Sequence, residues 1–247
     1  MRSKFSLKNF LDQYSPDFVF LSEPMLFQCD QLLAMSLFKG EYSSALSSDD
    51  VFDPELPLVK NRAKGGTMAL WRKHLDQYIT SLTSTSSSFL PIIFSFPESP
   101  VTILITLYLP TAGKDVAFVE EIAKLDCFID DLSTKYPDSV IYVRGDANVN
   151  SRDEARRAMF EKLCDDWNLV KIDLKHNTYH HSMGNGVSDS QLDVLLHSEN
   201  SSETLHKIFC KQEDPQISSH HDALLSSFQL PILLKSSPDP EDNPLAQ

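Results

Sequence analysis

Residues 141–150 read IYVRGDANVN, and this short run decides the reading of the whole chain. Ile141, Tyr142 and Val143 have the β-branched and aromatic character of a buried strand. The run then meets Gly145, a carboxylate at Asp146 and an amide at Asn148. Side chains at i and i+2 of an extended chain point the same way, so Asp146 and Asn148 are expected to face one site together. Gly145-Asp146 alone is a common turn that Asn148 could merely continue, but the Asp-x-Asn spacing after IYVRG favours a functional pair.

Working outward, other strand-like runs also stop on polar groups. FVFLSEP (18–24) ends on Ser22-Glu23, and VTILITLYLP (101–110) carries Tyr108 near its end. QLDVLLHS (191–198) holds Asp193 inside an apolar run, and His220-His221-Asp222 opens the run that ends in HDALLSSFQL. A carboxylate within an apolar strand costs several kcal/mol unless it is paired, so Asp193 needs a partner, and His221 is the natural candidate. Between these runs lie an amphipathic N-terminal helix (Phe5 to Tyr14), a helix over 115–135 and a helix beginning at Glu154. In the 115–135 helix, Val119, Ile122, Phe128, Ile129 and Leu132 form the expected inward face. FLPIIFSF (89–96) and the run from 101 read as a hairpin. Residues 36–64 read as a long loop, 81–88 (SLTSTSSS) as a solvated turn, and His180-His181 as solvated loop residues. The expected fold is α/β (α+β), with two mixed β-sheets packed face to face and flanking helices, in one domain over 1–230. Residues 231–247 are polar and Pro-rich and read as an untethered tail.

Composition sets bounds on function. The 247 residues carry a net charge of −13, which repels nucleic acid at long range unless cations or a local basic patch offset it. The stretch with Lys60, Arg62, Lys64, Arg72, Lys73 and His74 is the best such patch, with Lys64, Arg72 and Lys73 as candidate substrate contacts. Cys29, Cys127, Cys164 and Cys210 are scattered, which argues against a zinc finger or disulfide framework and for a reducing nuclear or cytoplasmic compartment. No apolar run approaches the roughly 18 residues that a membrane span needs. A monomer is expected.

Hard oxygen ligands beside a histidine that an aspartate orients suit phosphodiester hydrolysis. A cation such as Mg²⁺ or Mn²⁺ neutralises charge, a base takes a proton from water, and donors hold the phosphate. The segments PDFVFLSEP, KGGTMALW, LYLPT, YVRGDANVN, NTYHHSMGNGVSDSQLDVLLHS and SSHHDALL occur in the order found in the endonuclease/exonuclease/phosphatase superfamily. The chain resembles that superfamily over residues 5 to 230, in particular its exonuclease III-like apurinic endonucleases and LINE-type retrotransposon endonuclease domains. The resemblance implies that Glu23 binds metal, Tyr108 steadies the phosphate and Asp146 activates water. It further implies that Asn148 holds water or phosphate, and that Asp193 orients His221. Thr178 and Ser190 fall where the superfamily has minor substrate or scaffold contacts. DNA is the partner the resemblance implies.

Two departures accompany the resemblance. The final motif has His220 where the superfamily usually has aspartate, an exchange that would hold Mg²⁺ less well. The superfamily also begins with a strand ending in a metal-shell asparagine, and no Asn before Glu23 matches it, so the sequence reads as N-terminally truncated. Three functions therefore stand open: a retroelement-derived DNA endonuclease, a catalytically degenerate copy with a binding role, and a lipid or inositol phosphate phosphodiesterase.

Overall fold

The computed structural model describes residues 2–36, 40–48, 50, 63–174, 177–183, 186–199, 205–211, 221 and 223–228. In chain order the elements are α1 (Arg2–Tyr14), β1 (Phe18–Ser22), α2 (Gln31–Ser36), β2 (Tyr42–Ser47), β3 (Thr67–Arg72), β4 (Ile79–Ser81), β5 (Phe89–Phe94) and β6 (Thr102–Tyr108). They continue as α3 (Asp115–Lys135), β7 (Val140–Asp146), α4 (Glu154–Asp166), β8 (Leu169–Lys171), β9 (Tyr179–Met183), β10 (Gly186–Ser190), β11 (Asp193–Ser198), β12 (Leu205–Lys211) and β13 (Ala223–Phe228).

The central element is a six-stranded mixed sheet in the order β4-β5-β6-β7-β11-β8, in which β6 and β7 form the parallel pair. Facing it is a three-stranded antiparallel sheet, β1-β3-β2. Among the described strands β1 pairs only with β3, so it is an edge. Two antiparallel ribbons, β9-β10 and β12-β13, complete the β structure.

The pleat explains the layers. Side chains alternate between the two faces of a strand. On β5, β6 and β7 the odd positions Phe89, Ile93, Ile103, Ile105, Leu107, Ile141 and Val143 pack with Phe118, Leu125, Ile129 and Leu132 of α3 and with Phe160 and Leu163 of α4. The even positions Leu90, Ile92, Phe94, Leu104, Val140 and Tyr142 meet Ala45, Ala69 and Trp71 of the opposite sheet. Strands buried on both faces read as continuous apolar runs, and FLPIIF and TILITL do so. Outside the three-stranded sheet, Phe10 and Leu11 of α1 cover Tyr42, Leu46, Met68 and Leu70. The result is four layers, α/β/β/α, the face-to-face sandwich with flanking helices that the sequence implies, except that among the described strands only the six-stranded sheet is mixed and the facing one is antiparallel.

Several local expectations change. The 36–64 loop contains β2, whose Ser-rich sequence lacks an alternating signal yet pairs with β3 along its length. The inward face of α3 is Phe118, Leu125, Ile129 and Leu132, while Val119 lies on the outer side and is half exposed. The 81–88 turn is not merely solvated. Ser86 is buried, its hydroxyl bonds Glu121, and it accepts the Ser88 N–H at 2.9 Å. His180 belongs to β9 and bonds Asp189 at 2.9 Å across the ribbon. The polar tail from 231 lies outside the described residues. Among those residues no helix is long and apolar enough to cross a membrane.

Core packing carries a direct expectation. Ile129→Ala removes a fully buried side chain from the α3–sheet layer and is expected to cost about 3 kcal/mol in urea unfolding, whereas Val116→Ala, on the exposed face of the same helix, stays within about 0.5 kcal/mol.

Candidate active site

One end of the sandwich gathers the polar strand tips. On β6 and β7, Tyr108 and Asp146 are direct register partners, and across β7 and β11 Asp146 is the partner of Asp193. Tyr108 and Asp146 occupy even positions, and register neighbours share a face. All three side chains therefore sit in one row on the face toward the three-stranded sheet. Glu23 follows the last residue of β1 and completes the row from the opposite side.

The turn after β7 is built from its own polar groups. Asn148 does not continue the strand as an i+2 partner. It adopts the left-handed region, φ 50°, and its N–H donates to Asp146 Oδ1 at 2.8 Å. This is an Asx-type turn, which Asp and Asn favour. The Asn148 amide Nδ2 then donates to Asp146 Oδ2 at 3.0 Å and to the Leu109 carbonyl at 2.8 Å. The two side chains meet as the sequence implies, but through a turn rather than along an extended strand. Glu23 is also left-handed, φ 53°, held by its N–H to the Gly66 carbonyl at 3.0 Å. A non-glycine residue there is uncommon and is sustained only by its surroundings. Gly65 lies under Tyr108, where a Cβ would come within 3.1 Å of the ring, and the Tyr108 hydroxyl donates to Glu23.

The third carboxylate meets a histidine. His221 Nδ1 lies 2.9 Å from Asp193 Oδ2, and its Nε2 lies 3.8 Å from Asp146 Oδ2. Tyr179 pairs with His221 as an isolated bridge and packs its ring 4.9 Å away. Burial and the neighbouring Asp193 charge push the Asp146 carboxyl up to about 7, against the opposing influence of His221. Burial alone would lower the His221 pKa, but the Asp193 hydrogen bond and the charges of Asp193, Asp146 and Glu23 hold it above its ordinary value. The Tyr108 hydroxyl is raised by burial and by its bond to Glu23, so it stays a protonated donor.

The remaining sequence candidates separate. Thr178 is fully buried; its Oγ1 accepts the Asp193 N–H at 3.3 Å, and its own N–H bonds the Ser190 carbonyl at 3.0 Å. Both residues brace the backbone of Asp193. Lys64 precedes Gly65 at the site end of β3 and is exposed. Arg72 ends β3 at its far end, roughly 17 Å from Thr67 at 3.4 Å per residue, and is paired with Glu41 at 2.8 Å. Lys73 adjoins Arg72. The basic run is thus divided along a strand and does not form one patch. His220, Lys60 and Arg62 lie outside the described residues.

No protein-family model matches the sequence, and no curated protein matches it. Solved structures do match the fold. The endonuclease domain of TRAS1, a telomere-specific non-LTR retrotransposon, aligns with TM-score 0.69 and 14% identity over 92% of this chain and 93% of that one. The 3′ phosphatase NExo from Neisseria, bound to a product DNA hairpin, gives 0.69 and 16% over 90% and 93%. The AP endonuclease LMAP from Leishmania major gives 0.71 and 16% over 92% and 82%. The chain has the fold of the endonuclease/exonuclease/phosphatase superfamily.

Whether the site suits a divalent cation follows from its donors. Among the described residues no cluster of three or more His, Cys, Asp or Glu forms a closed metal cage. The donors present are hard carboxylate and amide oxygens, with the Asp146 and Asp193 carboxylates opposite each other on adjacent strands. That chemistry fits a largely hydrated Mg²⁺-like ion near Glu23, since Mg²⁺ keeps several waters and needs only one or two carboxylates.

Within this superfamily fold, one residue escaped the sequence reading. Arg156 is fully buried and donates to the carbonyls of Pro110, Thr111 and Asn148 at 2.9, 2.9 and 3.2 Å, and to Asp115 at 3.0 Å. It ties the loops after β6 and β7 together beneath the site. Its signal in the sequence was available: Arg156, Phe160, Leu163 and Cys164 share one inward helical face, where a charge is out of place. Arg156→Met leaves those carbonyls unpaired and is expected to cost about 3 kcal/mol of stability, measured by urea unfolding.

Proposed function

We propose that the chain is a divalent-metal-dependent phosphodiesterase acting on DNA, an endonuclease of retroelement type. The observation that carries this reading is the register row Tyr108–Asp146–Asp193, with Asn148 and His221 bonded to its carboxylates and Glu23 facing it. Each member has a distinct chemical capacity. Asp146, pushed up to about 7, is a base near neutrality and takes the proton of the attacking water. Asn148 spends its N–H groups on Asp146 and the Leu109 carbonyl, which leaves its Oδ1 to accept a hydrogen bond from the attacking water. His221, oriented by Asp193 and with its pKa raised by the surrounding carboxylates, donates to a phosphoryl oxygen on which negative charge develops. Tyr108, kept protonated, would turn its single O–H from Glu23 to a phosphate oxygen when Glu23 holds the ion. In-line attack breaks the bond from phosphorus to the 3′ oxygen and leaves a 3′-hydroxyl and a 5′-phosphate. Nucleases of this superfamily generally use divalent metals, and Glu23 would hold the ion here. When bound, the ion neutralises phosphate charge that the acidic chain cannot.

DNA as the substrate class is supported by the neighbours. Besides NExo, TDP2 from D. rerio was solved with a single-strand DNA product, and it aligns at 16% identity and TM-score 0.62 over 92% of each chain.

Purified protein is expected to nick supercoiled plasmid with Mg²⁺ or Mn²⁺ and not with EDTA, and Asp146→Ala is expected to lower the rate by about a hundredfold or more. Cleavage of a lipid phosphodiester in place of plasmid would move the substrate class. No cleavage with any divalent cation, on plasmid, abasic duplex or lipid, would reduce the chain to a non-catalytic copy of the fold.

A further inference from the structure

The hydroxyl of Ser22 stands where three strands meet. Its Oγ donates to the Leu107 carbonyl at 2.7 Å and accepts the Asp146 N–H at 3.2 Å. Each of these groups is at or beside a candidate site residue. Ser22 ends β1 immediately before Glu23, Leu107 precedes Tyr108 on β6, and Asp146 ends β7. One side chain of the three-stranded sheet thus bonds the backbones of two neighbouring strands in the six-stranded sheet.

The hydroxyl has room only because position 145 is glycine. A Cβ at Gly145 would lie 2.0 Å from the Leu107 oxygen and 2.7 Å from Ser22 Oγ, and the backbone there has φ 136°, which side chains rarely adopt. The Gly of the RGDAN stretch therefore serves the contact as well as the turn.

This contact differs in kind from the packing around it. Phe18, Phe20 and Trp71 contribute to an apolar layer between the sheets. Apolar contact is non-directional and resists a small slide of one sheet over the other only weakly. A hydroxyl that donates to one strand and accepts from the next is directional at both ends. It fixes how far β1 can move along β6 and β7. That displacement sets the separation between Glu23 on one sheet and Tyr108 and Asp146 on the other.

We propose that Ser22 is a positioning residue that locks the metal-side carboxylate of one sheet in register with the base and phosphate donor of the other. The inference rests on the phosphodiesterase reading of the site. It also makes a claim about backbone geometry that holds or fails without catalysis.

The test uses the full chain with Ser22→Ala and Ser22→Thr, the second keeping the hydroxyl. Plasmid nicking in Mg²⁺ is expected to show kcat lowered about 10- to 100-fold in Ser22→Ala with KM within about twofold, as for a small misplacement of reacting groups. Ser22→Thr is expected to recover kcat to within about threefold of wild type. Amide hydrogen exchange followed by NMR is expected to show loss of protection at Asp146 in Ser22→Ala and its return in Ser22→Thr. A Ser22→Ala protein with wild-type kcat, or a loss confined to KM, overturns the positioning role. A kcat loss equal in both variants overturns it as well. If wild-type protein cleaves nothing, the phosphodiesterase reading falls and exchange alone decides the clamp. Unchanged Asp146 protection in Ser22→Ala overturns it, and lost protection upholds it.

Discussion

Asp146 and Asp193 face each other across adjacent strands, both nearly excluded from water. Like charges directly opposite in a sheet repel, and burial makes each charge more costly. His221 resolves the conflict by approaching both, at 2.9 Å from Asp193 and 3.8 Å from Asp146. Much of the site depends on this arrangement. The carboxylates raise the imidazole pKa above its ordinary value against the effect of burial, while burial and then the Asp193 charge push the Asp146 carboxyl up to about 7. A Thr178 hydroxyl and an Asn148 amide satisfy the remaining polar groups around the pair. Such buried networks are useful only when they are nearly complete, and this one is braced from beneath by Arg156.

The sandwich explains why the network lies at a strand end. The middle strands of the central sheet are largely apolar on both faces, with few polar side chains such as Thr106 and Arg144 within them, so a carboxylate placed mid-strand would be costly. At the tips the parallel pairing of β6 with β7 and the antiparallel pairing of β7 with β11 bring Tyr108, Asp146 and Asp193 side by side, although they lie far apart in sequence. The second sheet adds Glu23 from the opposite side, and Ser22 joins the two. The catalytic proposal is therefore a statement about register: one residue of slip in β7 would turn Asp146 toward the α3 layer.

The sequence made the central sheet and the long helices legible because their apolar periods are strong. It made Asp146, Asn148, Asp193 and His221 stand out because carboxylates, an amide and an imidazole at apolar strand ends need polar partners. It hid β2, whose serines carry no alternation, and the β9–β10 ribbon, whose residues are mostly polar. It also suggested a single basic patch from Lys64 to Lys73, which fails because a strand carries one end of that run away from the other. Arg156 and Ser22 were missed for a shared reason. Each acts through main-chain groups of distant loops and strands, and such bonds leave no motif; Arg156 shows only as a charge on an otherwise apolar inward helical face.

The most direct measurement of the central claim is a double-mutant cycle on Asp193 and His221, read as Mg²⁺-dependent nicking by wild type, Asp193→Asn, His221→Gln and the double variant. If Asp193 acts through His221, the double variant is no more than about threefold slower than the His221 single, because residues working as a unit are strongly non-additive. Losses that multiply would show that the two residues act independently, and the single shared site described above would then be wrong.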